Sequence, residues 1–282
     1  MASNRTRLMI KTAAATLAAA GALAAFGAWL VFKSGWYHIG ANNEHWQVVH
    51  TALEHGMRES VRHYARDVAA PPLDQPARVG RGAALFRDNC VQCHGAPGVA
   101  QADFGKAMQP VPGPLVNASQ RWRPRELYWI TRNGIKLSGM PGWEFYLEDD
   151  DIWSVVRFVE ELPKLSASAY AALAAAQPAS GVRLGAAVRL QGDPARGRVA
   201  LAQYACHACH IIPGVTGAAV YVGRPLKGLA ERKFIAGKLP NTQQNLVLWI
   251  RNPQQVDPGT AMPMQGVTEQ DALDMSAYLL GR

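Results

Sequence analysis

Two short runs in this sequence carry side chains with a chemistry of their own: Cys90-Val91-Gln92-Cys93-His94 and Cys206-His207-Ala208-Cys209-His210. Between them they hold all 4 cysteines of the chain. Three chemistries use two thiols at this spacing. A four-cysteine zinc site wants its pairs roughly 15–20 residues apart, whereas more than a hundred residues separate Cys93 from Cys206. A thioredoxin-like redox pair expects a βαβ setting, and alternating strand patterns are missing throughout. The third chemistry is covalent haem attachment. Thiols three residues apart on a helical turn match the two vinyl groups of one porphyrin, and the next residue's imidazole reaches the iron. Both runs fit. Cys90, Cys93, Cys206 and Cys209 are therefore the expected attachment points of two haem c groups, with His94 and His210 as iron ligands.

The sixth iron position decides the reactivity. A thioether there favours the ferrous state, raises the potential and fills the site, which suits an outer-sphere electron carrier. In the first unit Met140 follows His94 by 46 residues on a Gly- and Pro-rich loop, Leu137-Ser138-Gly139-Met140-Pro141-Gly142. Met108 competes but has no counterpart in the second unit. There, Met262 and Met264 compete. Met140 stands eleven residues after Trp129, against thirteen for Met262 and fifteen for Met264 after Trp249. That register, and the turn-forming Asp257-Pro258-Gly259 lead-in, favour Met262.

The elements around these residues come in two copies. GRGAALFRDNCVQCHGAPG (80–98) matches GRVALAQYACHACHIIPG (197–214), and Trp129-Ile130-Thr131-Arg132-Asn133 matches Trp249-Ile250-Arg251-Asn252. A helix leads into each cysteine motif; in the second, Gly197, Ala200, Leu201 and Tyr204 share one face. Another helix closes each copy. Ile152, Val155, Val156 and Val159 form its apolar face behind the acids 148–151, and Ala272, Met275, Ser276 and Leu279 do so behind a Thr268-x-x-Asp271 capping box. The expected fold is all-α: two domains in tandem with long irregular loops.

In these residues each unit resembles a class I cytochrome c: N-terminal helix, Cys-x-x-Cys-His, a loop with the axial methionine, and a C-terminal helix crossing the first. The first unit also resembles membrane-anchored bacterial cytochromes, whose single span continues through a short helical segment like 41–67. The resemblance implies iron held by His94 and Met140 in one unit and by His210 and Met262 in the other. It further implies haem loading in the periplasm and electron transfer in a respiratory chain. His207, an extra histidine between the cysteines, departs from the pattern and is expected at the surface.

The chain has 282 residues, 49% apolar and 18% charged, which excludes a wholly disordered protein. Its net charge of +8 contains no basic block and no nucleic-acid motif, so DNA or RNA binding has no support. Thr12 to Phe32 run 21 residues without a charge, about 30 Å as a helix, the thickness of a bilayer core. A cleaved signal peptide shares the basic start of Arg5, Arg7 and Lys11 and the small residues 18–20. The most apolar stretch lies after that site, however, and ends in the aromatic cluster Trp29, Phe32, Trp36 and Tyr37, so a retained anchor is expected. The basic residues before the span place the N-terminus in the cytoplasm and everything beyond residue 33 outside it.

The organisation expected is a cytoplasmic tip and transmembrane anchor (1–33), a connecting helical segment (34–76), a first domain (77–162), a linker (163–192) and a second domain (193–282). The function expected is a dihaem electron-transfer protein in the bacterial inner membrane with its haems in the periplasm. It would take electrons from a quinol- or substrate-oxidising partner and pass them to an acceptor such as a terminal oxidase. Sequence does not divide a free carrier from the cytochrome subunit of a larger complex. The alternative from another class is a dihaem peroxidase, which needs an iron open to peroxide and distal acid–base residues. Neither unit shows them. Three further sets carry no chemistry on this reading: His38, His45, His50, His55 and His63 as a polar face near the membrane, Trp122, Trp129, Trp143 and Trp153 as apolar walls, and the acids 148–151 as a helix start. Arg121, Arg123 and Arg125 are divided evenly between haem propionates or an acidic partner and plain solvation.

Overall fold

The computed structural model describes residues 4–181 and 191–281. Thirteen α-helices, three short 3₁₀ turns and one small hairpin are found among them. Helix α1 (Asn4–Ser34) is long and apolar enough to cross a membrane, and none of its residues is buried. A turn at Gly40–Asn43 breaks the chain, so the connecting helix α2 (Gln47–Ala65) starts later than the 41–67 pattern suggests. Between the two helices, Tyr37 hydrogen-bonds His45 and meets Trp46 edge-on, with ring centroids 5.3 Å apart.

The first domain begins with α3 (Pro76–Asn89), which runs into the cysteine-motif turn α4 (Val91–His94). After the short turns α5 (Asp103–Lys106) and α6 (Ala118–Arg121) come α7 (Pro124–Asn133) and the closing helix α8 (Asp149–Glu161). Helices α3 and α8 cross. Gly82 allows it, because a Cβ there would fall 2.0 Å from the Ser154 carbonyl oxygen. Beside the crossing, Phe86 and Phe158 are wholly buried with centroids 5.2 Å apart. Each contributes roughly 1.5–3 kcal/mol relative to exposure. Helix α2 docks on this body through Val61 and Ala65, and Tyr64 stacks on Trp129 at 5.9 Å. Trp129 therefore serves the seam with α2, whereas Trp153 lies in the core, stacked on Tyr128 at 4.2 Å.

The stretch 163–192, expected as a linker, starts with structure. Helix α9 (Ala167–Ala176) packs Tyr170 and Ala174 into the first domain's core. The chain after it is pinned to α3: Arg87 donates to the carbonyls of Ala174 and Gln177 at 2.6 and 2.9 Å, and the Ser180 N–H donates to Asp88 at 2.7 Å. An Ala-rich, acid-free run reads as a spacer, but Ala is also the best helix former. The part at 182–190 lies outside the described residues.

The hydrogen bond from Arg87, first of all, holds the Asp88 carboxyl down at about 2, aided by the Ser180 bonds and opposed by burial. Since an ordinary Asp titrates near ~3.9, its stabilisation is complete above that pH and is lost as pH falls toward 2. Hydrogen exchange should show the 177–180 segment opening across that window. Asp88→Ala should open it at neutral pH, while the α3–α8 crossing stays protected.

The second domain repeats the plan. Helix α10 (Pro194–Gln203) is capped by Asp193, which accepts from the Ala195 N–H at 2.8 Å. The hairpin β1 (Phe234–Ile235) and β2 (Leu239–Pro240) precedes α11 (Gln243–Arg251), α12 (Pro253–Val256) and α13 (Glu269–Leu280). Thr268 caps α13 by accepting from the Asp271 N–H at 3.1 Å, as the capping box predicts. Helices α10 and α13 cross at Gly197, where a Cβ would fall 2.0 Å from the Asp274 carbonyl oxygen. The same device, glycine at the helix crossing, thus appears in both copies.

Candidate haem centres

Each cysteine motif folds as one helical turn. The His94 N–H donates to the Cys90 carbonyl at 2.9 Å, and the His210 N–H to the Cys206 carbonyl at 3.0 Å. Residues i, i+3 and i+4 of a turn share a face. Each turn therefore presents two sulfurs and one imidazole together.

The imidazoles are oriented from the loops beyond. His94 Nδ1 lies 2.8 Å from the Gly113 carbonyl oxygen, and His210 Nδ1 lies 2.7 Å from that of Arg224. A carbonyl only accepts, so it places the proton on Nδ1 and leaves the Nε2 lone pair for a metal. Burial pushes His94 below the usual histidine range, against the pull of the Gly113 bond, which keeps the ring neutral as a ligand must be. In the first domain Gln101 steadies the turn by donating to the Cys93 carbonyl at 2.7 Å and to that of Pro112.

Three of the thiols are shifted away from the thiolate form. Burial pushes Cys90 up to about 12, with Cys93 adding a smaller repulsion, and it also raises Cys93 and Cys206. A reactive Cys-x-x-Cys needs a depressed thiol pKa. Among the described residues no three His, Cys, Asp or Glu side chains converge to hold a metal ion. The donor set instead fits a porphyrin iron.

In the second domain a cavity of about 340 Å³ opens beside the turn. Cys206, Cys209, His210 and Met262 line it with Leu246, Ile250 and Met275, so one imidazole and two thioethers, Met262 on the loop and Met275 on the closing helix, share a mostly apolar wall. Met264 is absent from that lining and 60% exposed. Met262 is also the better anchored of the two, since its N–H donates to Thr260 Oγ1 at 3.2 Å and its carbonyl accepts from Gln254 at 2.6 Å.

The first domain repeats this detail. The Met140 N–H donates to Ser138 Oγ at 3.1 Å, and Ser138 in turn donates to the Ile135 carbonyl at 2.8 Å. A hydroxyl residue two positions before a Met-Pro pair thus shapes both loops. The signal is visible in the sequence as Ser138-x-Met140-Pro141 and Thr260-x-Met262-Pro263. Neither Met108 nor Met264 has it. Met108 packs its side chain against Gly139, the residue before Met140.

Other residues fall differently from expectation. His207 is not a simple surface residue: it is half-buried under Gly217, and its Nδ1 has no hydrogen-bond partner among the described residues. Arg121, Arg123 and Arg125 gather with Arg62 around an open cleft of about 540 Å³ beside Trp122. Arg125 is tied to the Arg66 carbonyl at 3.1 Å.

Both domains match known protein families in sequence. Residues 77–159 match the family model described as cytochrome c oxidase, cbb3-type, subunit III, and residues 194–282 match that of cytochrome c. The chain thus carries two cytochrome c-type domains in tandem, behind an N-terminal helix long and apolar enough to cross a membrane. Cytochrome c domains imply electron transfer, with haem c as the cofactor. Over 85 residues it is 38% identical to a protein named cytochrome c oxidase subunit 2 from Alkalihalophilus pseudofirmus. That match spans 30% of this chain and 24% of the relative. No solved structure gives a significant match.

Proposed function

We propose that this chain is a dihaem cytochrome of the bacterial inner membrane. Its N-terminal helix is the anchor, its two domains lie in the periplasm, and it relays electrons from a quinol- or substrate-oxidising donor to an oxidase-type acceptor. The observation that carries this reading is the paired geometry: two Cys-x-x-Cys-His turns, each with its imidazole Nδ1 held by a carbonyl and a methionine N–H fixed by a neighbouring hydroxyl.

In the first domain Cys90 and Cys93 tether the cofactor, and His94 and Met140 hold its iron; in the second, Cys206, Cys209, His210 and Met262 do so. When bound, haem c supplies a reversible one-electron change. The protein's residues exclude water, keep both imidazoles in one tautomer and close each iron with sulfur. Three observations support an oxidase-type partner: the subunit III family model, the oxidase-subunit relative and the apolar helix α1.

A haemochrome assay on the purified full-length chain should count two covalent haems, and carbon monoxide should leave the reduced spectrum unchanged. One haem per chain, or stoichiometric carbon monoxide binding, would overturn the reading. Purification from native membranes in mild detergent should bring an oxidase or dehydrogenase with it.

A further inference from the structure

Among the described residues, the two domains touch at one built contact that the electron-transfer reading does not itself require. On the first domain, the segment after Met140 is clamped to α7. The Trp143 N–H donates to the Thr131 carbonyl at 3.1 Å, that of Glu144 to Arg132 at 3.0 Å, and Leu147 is buried in the core. Between these anchors the segment presents Phe145 and Tyr146 outward. Facing them on the second domain is α10, with Arg196 and Gln203 one above the other near Asp271 of α13.

The contacts are specific. The Arg196 guanidinium carbon lies 4.8 Å from the centre of the Phe145 ring. Tyr146 donates its hydroxyl hydrogen to Gln203 Oε1 at 2.9 Å. Arg196 is fixed before any docking, because the wholly buried Asp274 accepts from its Nε at 3.0 Å. A cation held in place over an aromatic face is worth more than a mobile one, since less side-chain entropy is lost. Burial first, and the Asp271 carboxylate second, push the Tyr146 hydroxyl up, so it stays a donor.

We infer that Phe145 and Tyr146 dock on Arg196 and Gln203 as an intramolecular junction that joins the Met140 loop of the first domain to the Cys206 turn of the second. This rests on the two-haem reading above. Met140 and Tyr146 are six residues apart on one clamped segment, and Gln203 stands three residues before Cys206. Tyr204, between them, packs in the second core and hydrogen-bonds Asp271 at 2.9 Å. The junction thus supplies a covalent and hydrogen-bonded path between two otherwise separate cores. Along it one electron would leave a ferrous centre and reduce a ferric one, with no bond broken and no proton moved.

The test uses the full-length, haem-loaded chain in detergent, whose four native thiols are consumed as thioethers. With Tyr146→Cys and Gln203→Cys together, a short bis-maleimide should link the two peptides within a monomer band, as read by peptide mass spectrometry. Adding Phe145→Ser should lower that yield roughly tenfold through loss of the cation–π contact. In a separate chain, Phe145→Ser with Gln203→Ala should slow redistribution of a single electron between the domains by a similar factor, with both potentials unchanged. Mono-adducts alone, or links only between chains, would overturn the docking. Efficient linking with an unchanged redistribution rate would overturn the path. A haem count other than two would instead sink the parent reading, and each variant's count and absorption spectrum report whether it has folded.

Discussion

A Met262→Ala chain should keep both haems covalently bound yet lose the thioether on one of them. The expected potential drop is on the order of 0.2 V, a fraction of the ~0.8 V that axial ligation spans. The reduced protein should then bind one equivalent of carbon monoxide. Met264→Ala should change neither quantity, because that side chain is exposed and lies outside the cavity lining. Met140→Ala should act on the other haem in the same way. Met108→Ala should at most disturb the packing at Gly139. Equilibrium redox titration with and without carbon monoxide checks all four variants. A drop with Met264→Ala and none with Met262→Ala would reverse the assignment.

The second large effect is on stability. The Asp274 carboxylate is fully buried and takes three bonds: from the Asp193 N–H at 2.8 Å, from Gln270 Nε2 at 2.8 Å and from Arg196 Nε at 3.0 Å. Asp274→Ala leaves a guanidinium only 17% exposed without its counter-ion. Breaking such a pair from one side costs about 3–5 kcal/mol, a large part of the 5–15 kcal/mol that stabilises an ordinary domain. For a domain of this size that predicts a midpoint lower by roughly 15–25 °C. Thermal melts followed by circular dichroism in the haem bands should show the second domain's transition falling while the first stays in place. Because Asp274 also holds Arg196 under Phe145, the junction cross-link should weaken in the same variant.

Much of the fold is legible from local pattern. The apolar spacing of Ile152, Val155, Val156 and Val159, the Thr268 capping box and the duplicated landmarks at Trp129 and Trp249 each depend on residues a few positions apart. The closing helices form where those signals place them. The supposed linker shows the limit of such reading. Its Ala-rich composition does not say whether a helix floats or packs, and only Tyr170 and Ala174 meeting α3 decide that. His207 follows the same rule: its burial depends on Gly217, a loop residue with no signal pointing back to it.

At the haem centres the division is sharper. The cysteine and histidine spacing points to the proposed attachment chemistry unaided, because one helical turn sets the geometry of all three side chains. The hydroxyls of Ser138 and Thr260, two residues before each methionine, were readable too, and they set the proposed axial pair Met140 and Met262 apart from Met108 and Met264. What no local pattern holds are the partners brought from afar. The carbonyls of Gly113 and Arg224 that fix each imidazole, the carboxylate of Asp274 beneath Arg196 and the ring of Phe145 above it lie between fourteen and seventy-eight residues from what they touch. Backbone carbonyls are the same at every position, and a cation can meet any ring the chain brings near. Such pairings exist only once the helices have crossed.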